Sequence, residues 1–514
     1  MAQAEPQHGL VVLVGAGPAG AGLICVEGLG WLRSAQVVIY DRLVSPALLE
    51  LPPPNAERIY VGKTPAGESI SQDRINELLV AKCRAGKLVV RLKGGDPLVF
   101  GRGGEEAEAL AAAGLPFRIV PGVTAAVAAA AYAGIPLTDR RTASSVAFVT
   151  GREDPAKQAS AINWGALAGI DTLVFYMGVG KLPEIAERLI GSGRPGGTPA
   201  AVVERAGTLS QHTVVATLET IAERARSAGV QPPAVVIVGD VVKMRDRLAW
   251  LERLPLFGRT VLVTRARRQA SQLAEQLGWL GAEVIEAPAV LIEPPESFEA
   301  VDEALCRLGQ FQWLVFTSAN GVASLVERMD RLFLDARALG GVRIAAVGPA
   351  TTKALRERFL TPDLVPTSYT TEALAEALCA CERIRGKRVM LARADIATPV
   401  LAERLRQAGA LVEEIVVYRT ARPAALPADA AEALRSGRAD WITFTSSSTV
   451  ENFMALAEPE KANLSKTKLA AIGPVTAETL RQHGLKPTVI AEPHTIDAMV
   501  SAIVRQEEQG KRTG

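Results

Sequence analysis

The sequence RLKGGDPLVFGRGGEE, residues 91–106, decides the fold of the first half of the chain. It begins in a β-branched strand, Val89–Leu92, and continues through a glycine-rich loop into a helical run. Two further loops belong with it: GAGPAG at 15–20, which follows the strand Val11–Val14, and VPGVTAA at 120–126. Glycine-rich turns between strands and helices are typical of α/β folds with parallel sheets. We therefore predict an α/β fold with a ligand site assembled from three loops.

The first loop, taken alone, fits a different ligand. Residues 15–20 match G-x-G-x-x-G, and Asp41 ends the next strand, Val37–Tyr40, as in sites that bind NAD or FAD. A glycine-rich turn without a ligand is the plain structural alternative. Three separate loops suit a compact adenosyl ligand better than a dinucleotide stretched along one βαβ unit. The tripeptide at 62–64 resembles the end of a P-loop, but Glu57 stands where that motif needs its first glycine.

Composition and charge limit the possible functions. The chain has 514 residues, 48% hydrophobic and 22% charged, which is typical of a globular protein with more than one domain. A formal net charge of +2 gives no sign of a surface for nucleic acid or for an acidic membrane. Local arginine clusters remain compatible with a small anionic ligand. We therefore expect small-molecule substrates, with no nucleic-acid or membrane partner.

The cysteines, histidines and apolar segments indicate a reducing compartment, which we take to be the cytoplasm. The five cysteines are scattered without a Cys-x-x-Cys pair, so we expect neither a disulfide framework nor a structural zinc site. Only four histidines occur and none are four residues apart, which argues against a metal-centred mechanism. The N-terminus has no basic segment typical of a signal peptide, and the apolar stretch 122–137 is too short to span a bilayer.

A change of pattern near residue 245 predicts a domain boundary. Alternating β-branched and helical runs give way to a charged segment, Lys243–Arg253, which is followed by Pro255. The predicted division is 1–8 as a disordered N-terminus, 9–245 as the first domain, 246–257 as a linker, 258–505 as the second domain and 506–514 as a disordered tail.

The second domain contains an internal repeat. Three blocks recur in the same order, the first two 128 positions apart and the third 125 apart. They are VLVTRA at 261–266 with VMLARA at 389–394, WLVFTS at 313–318 with WITFTS at 441–446, and AAVGP at 345–349 with AAIGP at 470–474. Tyr369 falls opposite His494 at the same spacing of 125. We expect two similar α/β lobes, 258–290 plus 421–505 and 291–420, with a ligand cleft between them.

Residues 9–245 resemble the tetrapyrrole methyltransferases, specifically uroporphyrinogen-III C-methyltransferase. The three loops carry the resemblance together with YDRLVS at 40–45, YVGK at 60–63, AGIPLT at 133–138 and FYMGV at 175–179. It implies a two-lobed tetrapyrrole methyltransferase fold. It also implies that two methyl groups pass from S-adenosylmethionine to pyrrole carbons of uroporphyrinogen III, giving precorrin-2 on the way to sirohaem and cobalamin.

The resemblance also implies site residues. The cofactor contacts of the family fall on Pro18, Gly94, Gly95, Asp96, Val99, Thr124, Ala125, Met177 and Ala206, and its acid–base pair falls on Asp41 and Lys63. The pyrrole ring must lose a proton after methylation, which calls for a nearby base rather than a metal. Asp41 is the first candidate, and a strand-end acid that caps the next turn is the structural alternative. Arg102 is a rival, although a guanidinium stays protonated and is better suited to clamp a substrate carboxylate.

The pattern departs from this family at three positions. Gly20 stands where the family carries an acid, Cys25 where it carries a threonine, and Asp139 where it carries a histidine. An acid at position 20 would cap the next helix or orient substrate. We therefore expect folding and cofactor binding with slowed methylation.

The second domain carries small hydroxyl residues at its strand ends. They lie in TSAN at 317–320 and TSSST at 445–449, and Gly-Pro turns stand at 348–349 and 473–474. Such residues usually cap helices. Mirrored on two facing lobes, however, exposed helix N-termini would form a cleft suited to carboxylates.

With these blocks and VYRT at 417–420, the second domain resembles uroporphyrinogen-III synthase over nearly its whole length. The implied reaction removes water from hydroxymethylbilane, inverts ring D through a spiro intermediate and closes the macrocycle, with no cofactor. Tyr418 matches a tyrosine proposed to help the hydroxyl leave, and an aromatic packing role is the alternative. The residues expected to bind substrate are Arg265, Ser318, Ser446, Ser447 and Thr476.

The two resemblances support each other, because the product of the synthase is the substrate of the methyltransferase. We expect a bifunctional enzyme, and a homodimer formed through the methyltransferase half. Two alternatives remain. One is an NAD- or FAD-dependent oxidoreductase fused to a ligand-sensing module, and the other is a non-catalytic tetrapyrrole-binding regulator.

Overall fold

The structure is a computed structural model that describes residues 9–62, 70–152, 161–265, 267–381, 384–457 and 464–513. Lys63 and the predicted disordered N-terminus, 1–8, lie outside the described residues. The chain divides into two compact units. Unit 1 comprises 1–258 with 280–282, and unit 2 comprises 259–279 with 283–514.

The described residues of unit 1 form two five-stranded sheets covered by helices. The strands are β1 (Leu10–Gly15), β2 (Val37–Tyr40), β3 (Glu57–Tyr60), β4 (Leu88–Lys93), β5 (Phe117–Val120), β6 (Val146–Thr150), β7 (Thr172–Tyr176), β8 (Pro199–Glu204), β9 (His212–Thr217) and β10 (Ala234–Val238). The α-helices are α1 (Val26–Ser34), α2 (Gln72–Arg84), α3 (Gly103–Ala112), α4 (Ala125–Ala133), α5 (Trp164–Ala168), α6 (Leu182–Gly191), α7 (Ile221–Ser227) and α8 (Arg245–Leu248). Short 3-10 helices cover Ala21–Leu23, Pro46–Glu50, Val179–Lys181, Asp240–Met244 and Leu251–Arg253.

The first sheet of unit 1 is parallel throughout, in the order β3-β2-β4-β1-β5. Its central strands are nearly continuous runs of valine and leucine, because helices cover both faces of the sheet. Gly15 pairs with Lys93 and Tyr40 pairs with Leu92. Val14 also pairs with Val120, so the carboxyl ends of β1, β2, β4 and β5 lie at one edge. The three predicted loops follow β1, β4 and β5, and Asp41 follows β2.

The second sheet of unit 1 is mixed, in the order β6-β7-β10-β8-β9. Strands β6 and β7 are parallel, whereas the other neighbours are antiparallel. Helix α4 lies within the stretch predicted to be a buried helix, and its alanines pack into the core of this sheet. No helix among the described residues is long and apolar enough to cross a membrane.

The segment predicted to be a linker, 246–257, is folded. It contains part of α8 and a 3-10 helix, and Trp250 donates a hydrogen bond of 2.9 Å to the carbonyl of Ala131. The Glu252 carboxylate pairs with Arg245 and accepts bonds from Gln211 and Thr213. The charges that suggested a solvated connection are instead used to pack this segment onto unit 1.

The described residues of unit 2 also form two five-stranded sheets. The strands are β11 (Arg259–Val263), β12 (Ala282–Glu286), β13 (Leu291–Glu293), β14 (Trp313–Phe316), β15 (Arg343–Ala346), β16 (Arg388–Ala394), β17 (Leu411–Ala421), β18 (Trp441–Phe444), β19 (Lys468–Ala471) and β20 (Val489–Ile490). The α-helices are α9 (Arg267–Trp279), α10 (Glu299–Cys306), α11 (Ala319–Arg331), α12 (Pro349–Arg356), α13 (Thr371–Cys381), α14 (Val400–Gln407), α15 (Ala428–Arg435), α16 (Ser447–Leu456), α17 (Pro474–Gln482) and α18 (Ile496–Thr513). Short 3-10 helices cover Leu308–Gln310, Ala336–Leu339 and Leu464–Lys466.

The two sheets of unit 2 have the orders β12-β11-β18-β19-β20 and β13-β17-β16-β14-β15. The chain passes from the first sheet to the second between β12 and β13. It returns to the first sheet after β17, since the next helix, α15, packs into the core of that sheet. The predicted repeat is confirmed: Trp313 and Trp441 begin the equivalent strands β14 and β18, and both are buried.

The predicted disordered tail, 506–514, is wrong for the described residues, because α18 continues to Thr513. Glu507 on this helix is only 1% exposed. Its carboxylate accepts a bond of 2.9 Å from the Trp441 indole and pairs with Arg259 at 2.7 Å and with Lys468. The polar composition of the tail gave no sign of these three partners, which come from distant parts of the sequence.

We predict that Glu507→Gln destabilises unit 2 by about 1–3 kcal/mol at neutral pH, because glutamine loses the charge-assisted bonds while staying buried. Burial raises the pKa of Glu507, but the hydrogen bonds from Lys468 and Trp441 and the positive charge of Arg259 outweigh it and hold this pKa below its usual range. The contribution of the carboxylate is therefore complete above the pKa of the unfolded chain, about 4.3. It is lost as the pH falls through the lower folded value.

Denaturant unfolding of the parent, Glu507→Gln and Glu508→Gln proteins checks this prediction. Glu508 is the adjacent and exposed carboxylate, so its variant should match the parent. The difference between the parent and Glu507→Gln should shrink below about pH 4. Equal stability of the two variants at neutral pH would contradict the role given to Glu507.

Candidate functional site

The three glycine-rich loops of unit 1 meet through their main chains. Gly17 and Gly95 exchange two backbone hydrogen bonds, of 3.1 and 3.0 Å. A methyl group added at Gly122 would lie 2.3 Å from the carbonyl oxygen of Gly95 and 2.7 Å from the Cα of Gly15. Only glycine permits this approach, so the loops at 15–20, 94–106 and 121–124 form one junction.

Asp96 fastens two of these loops together. Its Oδ1 accepts backbone bonds from Leu98 at 2.8 Å and Val99 at 3.1 Å, and its Oδ2 accepts a bond of 3.0 Å from the backbone nitrogen of Gly122. The carboxylate is therefore used to shape the junction. A ligand there would meet main chain and apolar side chains more than the charge of Asp96.

Thr124 connects the junction to the second sheet of unit 1. Its hydroxyl lies 2.6 Å from the Tyr176 hydroxyl, which also accepts a bond of 3.0 Å from the backbone nitrogen of Ala126. Burial raises the pKa of Tyr176, although both hydrogen bonds act in the opposite direction. Tyr176 ends β7, so the carboxyl end of that strand lies beside the loops of the first sheet.

Backbone strain concentrates around this junction. In the described part of unit 1 the non-glycine residues with positive φ are Ala19, Phe100, Arg102, Met177 and Arg205. Three of them stand in or beside the predicted loops, Met177 follows β7, and Arg205 precedes Ala206. Left-handed conformations cost non-glycine residues free energy and cluster at functional sites. The strain therefore marks the same place as the glycine contacts.

The predicted cofactor residues of unit 1 gather at this junction. Pro18, Gly94, Val99, Ala125 and Ala206 are half-buried, Gly95 and Thr124 are buried, and Met177 is 53% exposed. Among the predicted catalytic residues, Arg102 precedes α3 and forms a bidentate pair with Glu105, at 2.8 and 2.7 Å. The predicted acid partner, Lys63, lies outside the described residues.

Asp41 follows β2 at the edge where the loops meet. Its Oδ1 accepts a bond of 3.0 Å from the backbone nitrogen of Leu43, which is the turn-capping contact of the structural alternative. Its Oδ2 lies 3.8 Å from the Arg91 guanidinium, and the side chain is 28% exposed. Asp41 thus caps a turn and still presents a carboxylate to solvent.

The three departures from the family pattern have separate structural settings. Gly20 precedes the 3-10 helix Ala21–Leu23 without a side-chain cap, and a methyl group added there would meet nothing within 4 Å. Cys25 caps α1 by accepting a bond of 3.3 Å from the backbone nitrogen of Gly28. Asp139 closes a turn with Arg141 and Thr142, and its bonds with Arg141 lower its pKa.

A buried ionic cluster, which was not predicted from the sequence, lies beneath this edge. Glu106 is 0% exposed, and its Oε1 lies 3.0 Å from Arg91 and 2.9 Å from Lys93, which are both 4% exposed at their side chains. Burial lowers the pKa of Lys93, as does the charge of Arg91, whereas Glu106 and Asp41 raise it. Charged residues at alternate positions of a buried strand were the signal that could have revealed the cluster.

In unit 2 the predicted substrate residues stand at the carboxyl edges of the two sheets. Arg265 follows β11, Ser446 and Ser447 follow β18, Thr476 lies in the first turn of α17 after β19, and Ser318 follows β14. Arg265 and the three serines are half-buried, whereas Thr476 is only 4% exposed. The edges also carry the N-termini of α11, α12, α16 and α17.

Tyr418 is positioned by an irregularity in β17. The register between β16 and β17 shifts at this point, so Arg393 pairs with Val416 and Ala394 pairs with Tyr418. Such a bulge turns the next side chain. The Tyr418 hydroxyl lies 3.0 Å from the Ser318 hydroxyl, which also accepts a bond from Gly321 at the start of α11. Tyr418 is thus buried with its hydroxyl held at a helix N-terminus.

Ser446 is the counterpart of Ser318 in the other repeat. It caps α16 through the backbone nitrogen of Thr449 at 3.2 Å, and its hydroxyl lies 2.9 Å from that of Ser448. The Ser447 hydroxyl accepts a bond of 2.8 Å from Thr479. The capping role expected of such residues is present, and it leaves their hydroxyl groups at the sheet edge.

Rings stand over glycines at matching places of the two repeats. A methyl group added at Gly348 would lie 3.1 Å from the Cβ of Tyr369, and one at Gly473 would lie 3.2 Å from the ring of His494. Each glycine precedes a helix that starts with proline. The opposition of Tyr369 and His494 in the sequence repeat therefore reflects equivalent geometry.

Comparison with known families divides the chain in the same way. Residues 10–222 match the family Tetrapyrrole (Corrin/Porphyrin) Methylases, and residues 271–501 match the family Uroporphyrinogen-III synthase HemD. Among the described residues there is no group of three or more His, Cys, Asp or Glu side chains that could hold a metal ion.

Three relatives show how far the similarity extends. A porphyrin biosynthesis protein HemD of Ruminiclostridium josui is 37% identical over 97% of this chain and 98% of its own length. A uroporphyrinogen-III C-methyltransferase of Bacillus subtilis (strain 168) is 38% identical over 70% of this chain and 74% of its length. A siroheme synthase of Stutzerimonas stutzeri (strain A1501) is 51% identical over 49% of this chain, and the match spans 54% of that relative.

We predict that Gly122→Ala opens the loop junction of unit 1. The added methyl group has no room between Gly15 and Gly95, so the loops must separate, and we expect a loss of about 1–3 kcal/mol in stability together with loss of ligand binding. The matched control is Gly104→Ala in α3, where a methyl group meets nothing within 4 Å. Alanine in a helix should leave stability unchanged or raise it by up to about 1 kcal/mol.

Thermal unfolding and ligand titration of both variants provide the measurement. If Gly122→Ala has the same unfolding temperature and the same ligand affinity as Gly104→Ala, the close contact of the three loops is not needed to form the site.

Proposed function

The chain belongs to the family of porphyrin biosynthesis proteins that join a tetrapyrrole methylase to a uroporphyrinogen-III synthase, and on this premise we propose that it carries out two successive reactions. Unit 2 converts hydroxymethylbilane into uroporphyrinogen III, and unit 1 methylates that product twice to precorrin-2. The observation that carries the pairing is the relative matched over 98% of its length, across both halves of this chain.

The loop junction of unit 1 fits S-adenosylmethionine as the cofactor. Pro18, Val99 and Met177 offer apolar surface for an adenosyl group, and the glycine main chain leaves room beside it. Because the side chains of Asp96 and Thr124 are used within the junction, these two residues would hold the cofactor through the shape of the loops and their main chains. When bound, the cofactor supplies an electrophilic methyl group on a sulfonium centre.

Residues around the junction bind the substrate and accept its proton. Asp41 accepts the proton that the pyrrole ring loses after methylation, since its carboxylate lies at the edge and is part exposed. Arg102 binds a substrate carboxylate in place of Glu105. That exchange costs little, because the Arg102–Glu105 pair is exposed and such pairs stabilise a protein only weakly.

Unit 2 cyclises hydroxymethylbilane at the carboxyl edges of its sheets. The Tyr418 hydroxyl donates a proton to the departing hydroxyl group, so that water leaves, and Ser318 keeps the phenol oriented. Arg265, Ser446, Ser447 and the helix N-termini bind the substrate carboxylates. Thr476 supports the first turn of α17 from its buried position.

The pathway, the compartment and the oligomeric state are also part of what we propose. Precorrin-2 leads to sirohaem and to cobalamin, so the enzyme would serve one or both of these pathways. We propose a cytoplasmic homodimer formed through unit 1, acting on free tetrapyrroles. The scattered cysteines and the small net charge support this setting.

Thermal-shift titration tests the cofactor assignment. S-adenosylhomocysteine at about 100 times its dissociation constant should stabilise unit 1 by about 2.7 kcal/mol. NAD, NADP and FAD should give no shift, because a site joined from three loops suits a compact adenosyl ligand better than a dinucleotide stretched along one βαβ unit. Stabilisation by a dinucleotide and not by S-adenosylhomocysteine would overturn the assignment in favour of an oxidoreductase.

We expect Tyr418→Phe to fold like the parent and to form uroporphyrinogen III about 10-fold to 100-fold more slowly, since only the proton-donating hydroxyl is lost. Ser318→Ala keeps the phenol but frees it, and should show a smaller loss of rate together with about 1 kcal/mol of lost stability from the helix cap. The measurement is the initial rate of ring closure alongside thermal unfolding. An unchanged rate for Tyr418→Phe would assign this residue to packing.

We expect Gly20→Asp to raise the rate of methylation. The backbone at Gly20 is ordinary for an L-residue, with φ of −87°, and space is open around it, so the aspartate can cap the following 3-10 helix or orient substrate. Gly22→Asp places the same charge two residues later, also in open space, and should bring no gain. Steady-state methylation rates compare the three proteins, and equal rates for all of them would show that the departure at position 20 is neutral.

A further inference from the structure

The buried ionic cluster of unit 1 has a geometry that links it to Asp41. Arg91 and Lys93 are separated by one residue on β4, so their side chains lie on the same face of the sheet. Glu106 on α3 meets both through a single oxygen, Oε1, which also accepts a bond of 3.3 Å from Gln72 on α2. Its second oxygen, Oε2, is buried without a hydrogen-bond partner among the described residues.

Asp41 is the only partly exposed charge that the described structure places against this cluster. Strand β2 lies next to β4, and Tyr40 pairs with Leu92, which brings Asp41 level with Lys93. The Arg91 guanidinium contacts Glu106 through Nε at 3.0 Å and approaches Asp41 through Nη2 at 3.8 Å. Arg91 therefore connects a fully buried carboxylate to the carboxylate at the site.

Stability alone does not account for such a cluster. Removing ions from water costs several kcal/mol each, and apolar residues of similar size often stabilise a core as well or better. Two cations here share one oxygen of Glu106, and the other oxygen has no hydrogen-bond partner within the part of the chain that the structure describes. The cluster therefore costs free energy of folding. It lies beside Asp41, the group proposed to accept a proton.

We propose that Glu106 is a positioning residue for methyl transfer: by holding Arg91 and Lys93 it keeps the Asp41 carboxylate free to act at the loop junction. The inference rests on the proposed methyltransferase function. Without the negative charge of Glu106, Lys93 loses a partner that raises its pKa, whereas Arg91 stays protonated and has Asp41 as its nearest carboxylate. Arg91 would close its 3.8 Å gap to Asp41 and make that carboxylate a weaker base.

Two substitutions should move the acid limb of the methylation pH profile in opposite directions. In Glu106→Gln, the uncompensated guanidinium of Arg91 favours the ionised form of Asp41, so the acid limb of the methylation pH profile moves down by about one pH unit. The rate at its plateau should fall about 10-fold, because the base is weaker. In Arg91→Gln the cation nearest Asp41 is lost, and the acid limb should move up.

The matched control is Arg194→Gln. Arg194 is also buried, at 7% exposed, and donates to main-chain carbonyls just before β7, including that of Asp171 at 2.8 Å. The loop junction lies at the other end of β7. This variant should lose stability without moving the pH profile.

The test follows the full chain and these variants with uroporphyrinogen III and S-adenosylmethionine across pH, together with the titration of the Asp41 carboxyl by carbon-13 NMR in the unliganded protein. Opposite shifts for Glu106→Gln and Arg91→Gln, in both readouts, support the proposal. Shifts in the same direction, or none, overturn it.

Two further outcomes are informative. If Glu106→Gln does not fold, Glu106→Asp takes its place: the shorter side chain draws the carboxylate away from Arg91, so the acid limb should again move down, and an unmoved or raised limb overturns the proposal. If the parent methylates at no pH while the NMR titrations still shift in opposite directions, the proposed methyl transfer fails and the link between Glu106 and Asp41 stands.

Discussion

Both units depend on the constraint that neighbouring parallel strands end at the same edge of a sheet. Turns that follow such strands must gather there, whatever their sequence. In unit 1 this brings three loops so close that Gly15 and Gly122 have no room for a side chain. In unit 2 the same constraint operates twice, once in each repeat, and lines two edges with capped helix N-termini.

The two units present different groups at that edge. In unit 1 the Asp96 carboxylate binds the main chain of the loops and the Thr124 hydroxyl binds Tyr176, so main chain and apolar groups are left for a ligand. Unit 2 instead presents hydroxyl groups and an arginine. The groups in unit 1 suit a neutral adenosyl group beside a sulfonium. The groups in unit 2 suit a substrate that carries several carboxylates.

The sequence predicted the fold class and the repeat because both rest on local patterns, namely glycine-rich turns after β-branched runs and blocks at constant spacing. It failed where distant residues decide the outcome. Glu507 reads as part of a polar tail, yet Trp441, Lys468 and Arg259 bury it, and Glu252 fixes the supposed linker in the same way. The buried cluster of Arg91, Lys93 and Glu106 was missed because charges at alternate positions on a strand ordinarily face water.

We propose that one polypeptide makes a macrocycle and then methylates it. The most direct measurement is incubation of the full chain with hydroxymethylbilane, with and without S-adenosylmethionine, followed by separation and mass analysis of the tetrapyrroles. We expect uroporphyrinogen III alone without the cofactor, and with it a product that carries two more methyl groups, each in place of a proton. A macrocycle in which ring D is not inverted, or a product mass unchanged by S-adenosylmethionine, would contradict it.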